Sequence, residues 1–267
     1  MKILGSTSIG PFSAWAGPRR AVTGGLILSL AVVGALLLSG CDRTVTIGGR
    51  GPGPFVSGSG KVVTKDMNIS AFTKVDVSNN FKVQITQGSS YKVTITTNDN
   101  MLDFLDVHKD GQTLVLALQS GTYSNITLQA NVTMPDLQGL RLPGATNGTV
   151  DGFKSQSNVD IEVSGASKLT VNSEFGDVKI TDSGASHITA TGSGNGLNLD
   201  VSGASTADLQ GFAVKDATVG LSGASNATVD VTGRLDANLS GASTLSYTGS
   251  PTLGNVNVTG ASSLKKL

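Results

Sequence analysis

Few side chains in this sequence are suited to acid–base chemistry. Neither of its two histidines, His108 and His187, has a nucleophile at a spacing that indicates a catalytic pair. Carboxylates are the other route, because paired acids cleave glycosidic bonds. In a repeat described below, Asp160 lies five residues before the corner glycine and Glu162 and Asp200 lie three before it, but acids do not recur from one copy to the next. The sequence predicts no catalytic residue, no metal ligand and no cofactor.

The cysteine Cys41 lies where its thiol would be chemically modified. Arg19 and Arg20 precede an apolar run, residues 21–38, which ends in Leu38-Ser39-Gly40-Cys41. These four residues resemble the bacterial lipobox, in which small residues suit the signal peptidase and the cysteine receives a diacylglyceryl group. The alternative is an uncleaved anchor, since the run is about long enough to cross a bilayer. We expect residues 1–40 to be a lipoprotein signal peptide.

This interpretation predicts an exported protein held on a membrane of the cell envelope, on its periplasmic or extracellular face, by lipid on Cys41. Residues 41–60 are rich in glycine, proline and serine, a composition typical of a tether. The folded part is then expected to stand away from the lipid surface.

The composition of the 267 residues favours many short strands and excludes several classes of protein. There are 35 glycines, 4% aromatic and 14% charged residues, and the glycines lack the triplet period of collagen. Without Lys2, Arg19 and Arg20, 16 basic residues face 19 acidic ones, so no basic excess indicates nucleic-acid binding. A single cysteine excludes an intrachain disulfide.

A four-residue motif, Ser-Gly-Ala-Ser, recurs at intervals of 18–21 residues in the second half of the chain. Its glycines, with degenerate copies at both ends, are Gly144, Gly165, Gly184, Gly203, Gly223, Gly241 and Gly260. Apolar and polar residues alternate on both sides of each glycine, which indicates strand, corner and strand. One repeat cannot bury its apolar face alone, but stacked repeats can. Residues 143–267 are therefore predicted to form a β-solenoid with about 19–20 residues per coil.

The motif also suggests how each corner is built. Glycine permits positive φ at a sharp bend, alanine is expected to fit a narrow interior, and the serines can hydrogen-bond the bend or one another. Asp182 has the register of an inward position that holds Val or Leu in other copies. Either the coil bulges there or the carboxylate bonds a neighbouring serine, since an unpaired buried charge is costly.

Residues 61–142 show the same alternation without the motif. We expect an irregular β region that caps the first coil, with a hairpin at Asp110-Gly111. At the other end, Ser263–Leu267 lie part-way into a coil with only Lys265 and Lys266 as edge protection. This end is open to end-to-end association with another copy.

An ordered series of segments resembles the family of putative auto-transporter adhesins with a head GIN domain. The series begins with Phe72–Val77, Val83–Gly88 and Asp110–Leu114, continues through Val132–Leu137, and includes the Ser-Gly-Ala-Ser copies, over about residues 70–262. The resemblance implies a right-handed parallel β-helix and a cell-envelope location. It implies no active site.

These observations favour a surface-binding module without catalysis that binds glycans or other envelope polymers. One alternative is a β-helix polysaccharide lyase or hydrolase that depends on Asp160 or Asp200. A second is a purely structural envelope protein. A third is an ice-binding face of threonine rows, although Lys168, His187 and Asn226 interrupt the lattice that it would need.

Overall fold

The computed structural model describes residues 53–267, which form 23 β-strands and one 3-10 helix (Asp99–Phe104). Within that range no helix is long and apolar enough to span a bilayer. The strands in chain order are β1 (Phe55–Ser57), β2 (Val62–Met67), β3 (Lys74–Val77), β4 (Lys82–Gln87), β5 (Lys92–Asn98), β6 (Leu105–Asp110), β7 (Thr113–Leu118), β8 (Thr122–Ser124), β9 (Leu128–Met134), β10 (Gly139–Leu142), β11 (Asn147–Lys154), β12 (Val159–Val163), β13 (Lys168–Glu174), β14 (Val178–Asp182), β15 (His187–Ser193), β16 (Gly196–Val201), β17 (Thr206–Val214), β18 (Asp216–Leu221), β19 (Asn226–Val231), β20 (Arg234–Leu239), β21 (Thr244–Gly249), β22 (Thr252–Val258) and β23 (Ser263–Lys266).

Two sheets enclose the core. The even-numbered strands from β10 to β22 lie side by side in a ten-stranded sheet, which β3, β7 and β6 complete. The odd-numbered strands from β11 to β23 lie in an eleven-stranded sheet, which β4, β9, β5 and β2 complete. Each coil consists of one strand from each sheet, and every pair of neighbouring strands from β10 onward is parallel. The predicted all-β solenoid is confirmed.

Alternation places one apolar residue at the same depth in coil after coil. Leu142, Val163, Val201, Leu221 and Leu239 lie in one such internal column, almost free of solvent contact and in register, with Asp182 as the one charged member between Val163 and Val201. Their polar neighbours along each strand face outward. A strand repeat of two residues requires this division once one face is buried.

The Ser-Gly-Ala-Ser corners hold successive coils together. All seven glycines have φ between 70° and 89°. The carbonyl of each of the first six accepts a hydrogen bond from the alanine N–H of the next corner, at 2.6–2.8 Å. A Cβ at any of the six later glycines would lie 2.3–2.6 Å from the carbonyl oxygen of the preceding glycine. These positions therefore demand glycine both for backbone conformation and for close approach.

The alanine of the motif faces outward and the residue after it faces inward, whereas the sequence suggested an inward alanine. Each alanine, for example Ala185, is exposed, and the serine after it is buried. The expectation of an interior alanine is wrong because the inward serine hydroxyl closes the bend: Ser225 donates to the Ser222 carbonyl at 2.9 Å, and Ser243 to the Ser240 carbonyl at 3.0 Å. An inward alanine would leave that carbonyl without this donor.

The N-terminal part of the chain is threaded into the stack and does not simply precede it. β3 and β4 form a coil, β5 and β6 run back antiparallel, and the β6–β7 hairpin at Asp110-Gly111 reverses the chain. β7 and β9 then pair in parallel with β3 and β4. The parallel stack thus already includes β3, β4 and β10, which precede the boundary at residue 143 that the corner motif indicated.

Substitution of two corner glycines should distinguish the energetic cost of the backbone conformation from the cost of steric crowding by a Cβ. Gly144 has φ +88° and open space at its Cβ position, whereas Gly203 has φ +78° and the Gly184 carbonyl 2.4 Å away. Gly144→Ala should lower the free energy of unfolding by about 1–2 kcal/mol. Gly203→Ala should cost about 1–3 kcal/mol more, because its methyl group must displace the neighbouring coil. Urea titration followed by circular dichroism measures both, and equal losses would contradict the steric explanation.

Candidate functional site

The outer face of the ten-stranded sheet carries a continuous band of polar side chains, which we call the polar trough. Two outward columns form it. One is Asp160, Lys179, Asn198, Thr218 and Asp236, and the other is Arg141, Glu162, Thr181, Asp200, Gly220 and Asn238. Shallow cavities of about 490, 350, 240 and 370 Å³ lie along the same face. The trough thus runs across the strands, from coil to coil.

Ion pairs join neighbouring coils within the trough. The Arg141 guanidinium lies 3.3 Å from both Asp76 and Glu162, and Lys179 lies 3.4 Å from Asp160. The hydrogen bond and charge of Asp76 raise the pKa of Arg141. These groups are about half exposed, so each pair contributes little to stability and leaves its charges accessible to a ligand.

At one margin of the trough, carboxylates and amides bond the backbone of the next coil. Asn158 Oδ1 accepts the Asp177 N–H at 2.8 Å, and Asp216 Oδ1 accepts the Arg234 N–H at 2.7 Å. Arg234 donates two hydrogen bonds of 2.7 Å to Asp236, which lower the pKa of that carboxyl. The margin is therefore fixed in place before any ligand arrives.

The structure does not bring the candidate catalytic groups together. Asp160 and Asp200 belong to different columns, on strands two apart, with β14 between them. His187 faces outward on the opposite sheet beside Thr189, at 3.2 Å, and His108 lies at the cap end, 2.8 Å from Asp106. Within residues 53–267, no three His, Cys, Asp or Glu side chains are grouped as metal ligands.

Asp182 is the buried carboxylate of the solenoid. It pairs in register with Val163 and Val201, without a bulge, and is fully buried. Ser186 donates a hydrogen bond to its Oδ1, which answers the alternative that the sequence left open, while Oδ2 has no hydrogen-bond partner in the described part of the chain. Burial raises the pKa of Asp182 to about 6, although the Ser186 hydrogen bond and the charge of His187 oppose the shift.

The expected lipobox residues Leu38, Ser39, Gly40 and Cys41 lie outside the described residues, as do the rest of the expected signal peptide and most of the expected tether.

The fold and its polar face define an adhesin-like β-solenoid. The family model described as putative auto-transporter adhesin, head GIN domain, matches residues 71–251, so the chain belongs to that family and the resemblance is confirmed. No curated protein matches the chain.

Solved structures share the fold. A putative adhesin from Bacteroides fragilis aligns with a TM-score of 0.72 and 19% identity, over 79% of this chain and 100% of its own. A putative adhesin from Parabacteroides distasonis gives 0.65 and 16%, over 80% and 100%. A putative lipid binding protein from the same species gives 0.64 and 17%, over 80% and 99%. At these identities the likeness shows the fold alone.

The raised pKa of Asp182 predicts a pH-dependent stability. The folded state binds this proton more tightly than the unfolded state, so the stabilisation is complete below pH 3.8, the ordinary value, and is lost as the pH rises through about 6. The loss amounts to about 3 kcal/mol. Relative to Asp182→Asn, which cannot ionise, the wild type should lose that amount between pH 3 and pH 7.5 in urea titrations.

Ser186→Ala provides the matched comparison, because it removes the hydrogen bond that opposes the rise in the Asp182 pKa. Its loss of stability should move to higher pH than in the wild type. Parallel stability curves for the wild type and Asp182→Asn would contradict the assignment.

Proposed function

We propose that this protein is a lipid-anchored adhesin of the cell envelope, which binds extended polymers such as glycans along the polar trough and does not catalyse a reaction. The single observation that carries the proposal is the trough itself, a polar face that repeats with every coil. Membership of an adhesin family supports a surface location.

The repeat favours a long ligand over a small one. Neighbouring strands lie about 4.8 Å apart, so a polymer laid along the stack meets equivalent side chains at that interval. Each contact with an exposed amide, hydroxyl or charge is weak, but several made by one chain raise the effective affinity. A small molecule could use only one such position.

The chemistry of the trough suits a polyhydroxylated polymer. Asn198, Thr218 and Asn238 offer uncharged donors and acceptors along the trough. Charges of both signs, such as Lys179 and Asp160, add partners for hydroxyl groups. Paired charges also leave the trough without a strong preference for an acidic or a basic polymer.

Blocking the trough should weaken binding. Thr218→Tyr places a ring over the centre of the trough, and Thr170→Tyr makes the same change on an exposed site of the opposite sheet. Glycan arrays and whole-cell binding should show a loss of about tenfold, or about 1.4 kcal/mol, for the first variant and no change for the second.

Equal effects of the two tyrosine variants would remove the trough from the proposal, and an absence of binding in both assays would remove adhesion itself. A different result would favour the polysaccharide enzyme: fragments released from an acidic polysaccharide, with the activity lost in Asp160→Asn or Asp200→Asn.

The anchor is tested separately at Cys41. Mass spectrometry of the mature N-terminus should find a diacylglyceryl group on this residue, because the thiol is the acceptor in a lipobox. Cys41→Ser should prevent lipid attachment and signal cleavage, whereas Ser39→Ala, which keeps a small residue, should preserve both. A mature chain that begins elsewhere would refute this part.

A further inference from the structure

The two ends of the described stack differ in how their edge strands are protected. At the cap end the outermost strands are β2 and β6, and both carry charged residues. Lys65 lies on β2 opposite the buried Ile95, so it faces the inner side of the sheet, and β6 ends in His108, Lys109 and Asp110, all exposed. Such charges are a known means of keeping edge strands apart.

The opposite end presents β22, a strand with no charged residue. Its inward positions Leu253, Val256 and Val258 pair in register with the buried Leu235, Ala237 and Leu239. They are nevertheless 45%, 40% and 41% exposed, because among residues 53–267 only β20 pairs with β22. An apolar, uncharged edge of this kind favours pairing with another strand.

We propose that this end docks on the same end of a second copy of the protein. Two edges are open at this end of the described chain, β22 in one sheet and β23 in the other. Apolar residues of β22 face the space between them, and β23 adds Leu264 and, in register with Tyr247, Lys266. A single added peptide strand would satisfy one edge and leave the other bare. The same end of another copy supplies two strands at the matching separation together with an apolar surface.

The charges on β23 select how the copies meet. Lys265 and Lys266 would repel the same lysines if β23 paired with its own counterpart, whereas β22 is uncharged and carries Asn255 and Asn257 on its outer side. Pairing of each β22 with the β23 of the other copy, through a two-fold axis along the strands, avoids this repulsion. Both junctions are then antiparallel.

This contact closes on itself. A two-fold axis uses the open end of both copies, and the charged strands β2 and β6 remain at the outer ends. The expected assembly is a dimer and not a fibre, because the dimer leaves no uncharged β22 edge at its outer ends.

What this dimer would do at the cell surface rests on the proposed function. The chain enters the stack at β2, ten strand spacings from β23, or about 48 Å. In the dimer the two β2 strands would therefore lie at opposite ends, and we expect the contact to join two membranes rather than two neighbours on one membrane. The partner of this adhesin would then be a second copy on another cell, in addition to any polymer in the trough.

Sedimentation velocity of the purified full chain over a concentration series tests the contact. Wild-type protein should form dimers, and Val256→Lys with Val258→Lys should raise the dissociation constant at least about tenfold by placing charges on the apolar end. Val62→Lys is the matched control, because Val62 is an exposed valine (48%) at the capped end. Circular dichroism should show all three folded.

A wild-type monomer at every concentration, or a dimer that survives the double substitution, would overturn the proposal. Phosphatidylcholine vesicles carrying the lipidated chain then distinguish the arrangement: wild-type vesicles should tether one another without an added ligand, and wild-type with double-variant vesicles should not. Vesicles that hold the protein without tethering would reject the two-membrane contact and leave trough binding intact. Loss of glycan binding with tethering preserved would reject the trough alone.

Discussion

The close approach of successive glycine corners is the constraint on which the rest of the structure depends. Each corner donates an alanine N–H to the glycine carbonyl of the previous corner, and the space between them is too small for a Cβ. Because this contact fixes the spacing and the register of adjacent coils, every strand leaving a corner starts at the same height as its neighbour. The internal columns and the outer columns follow from that registration.

The same registration divides the inward residues, which stabilise the solenoid, from the outward residues, which are free to bind a ligand. Most inward positions of the described solenoid hold an apolar residue or the corner serine, and burial raises the pKa of the charged exception, Asp182. Outward positions are not restricted in this way, so aspartate, lysine, asparagine and threonine follow one another along one column. A binding face can therefore change residue by residue while the solenoid beneath it is preserved.

Sequence reasoning was sufficient for the repetitive part and insufficient for the cap. Alternation and glycine spacing predicted the strands, the corners and the inward register of Asp182. They could not predict that β7 and β9 insert between β3–β4 and the returning β5–β6, because an alternating strand has the same pattern whichever neighbour it takes. The orientation of the corner alanine was also beyond reach, since the choice between alanine and serine depends on which carbonyl the hydroxyl reaches.

Sides and ends of a solenoid meet different requirements. A side repeats, so a polymer bound there gains contacts with each added coil, and its specificity can remain low at any one position. An end occurs once, presents unpaired backbone groups, and must be covered, charged or used. The cap end here is charged, whereas β22 is neither covered nor charged within the described chain. A polar side and an apolar edge strand on one solenoid can therefore engage different partners.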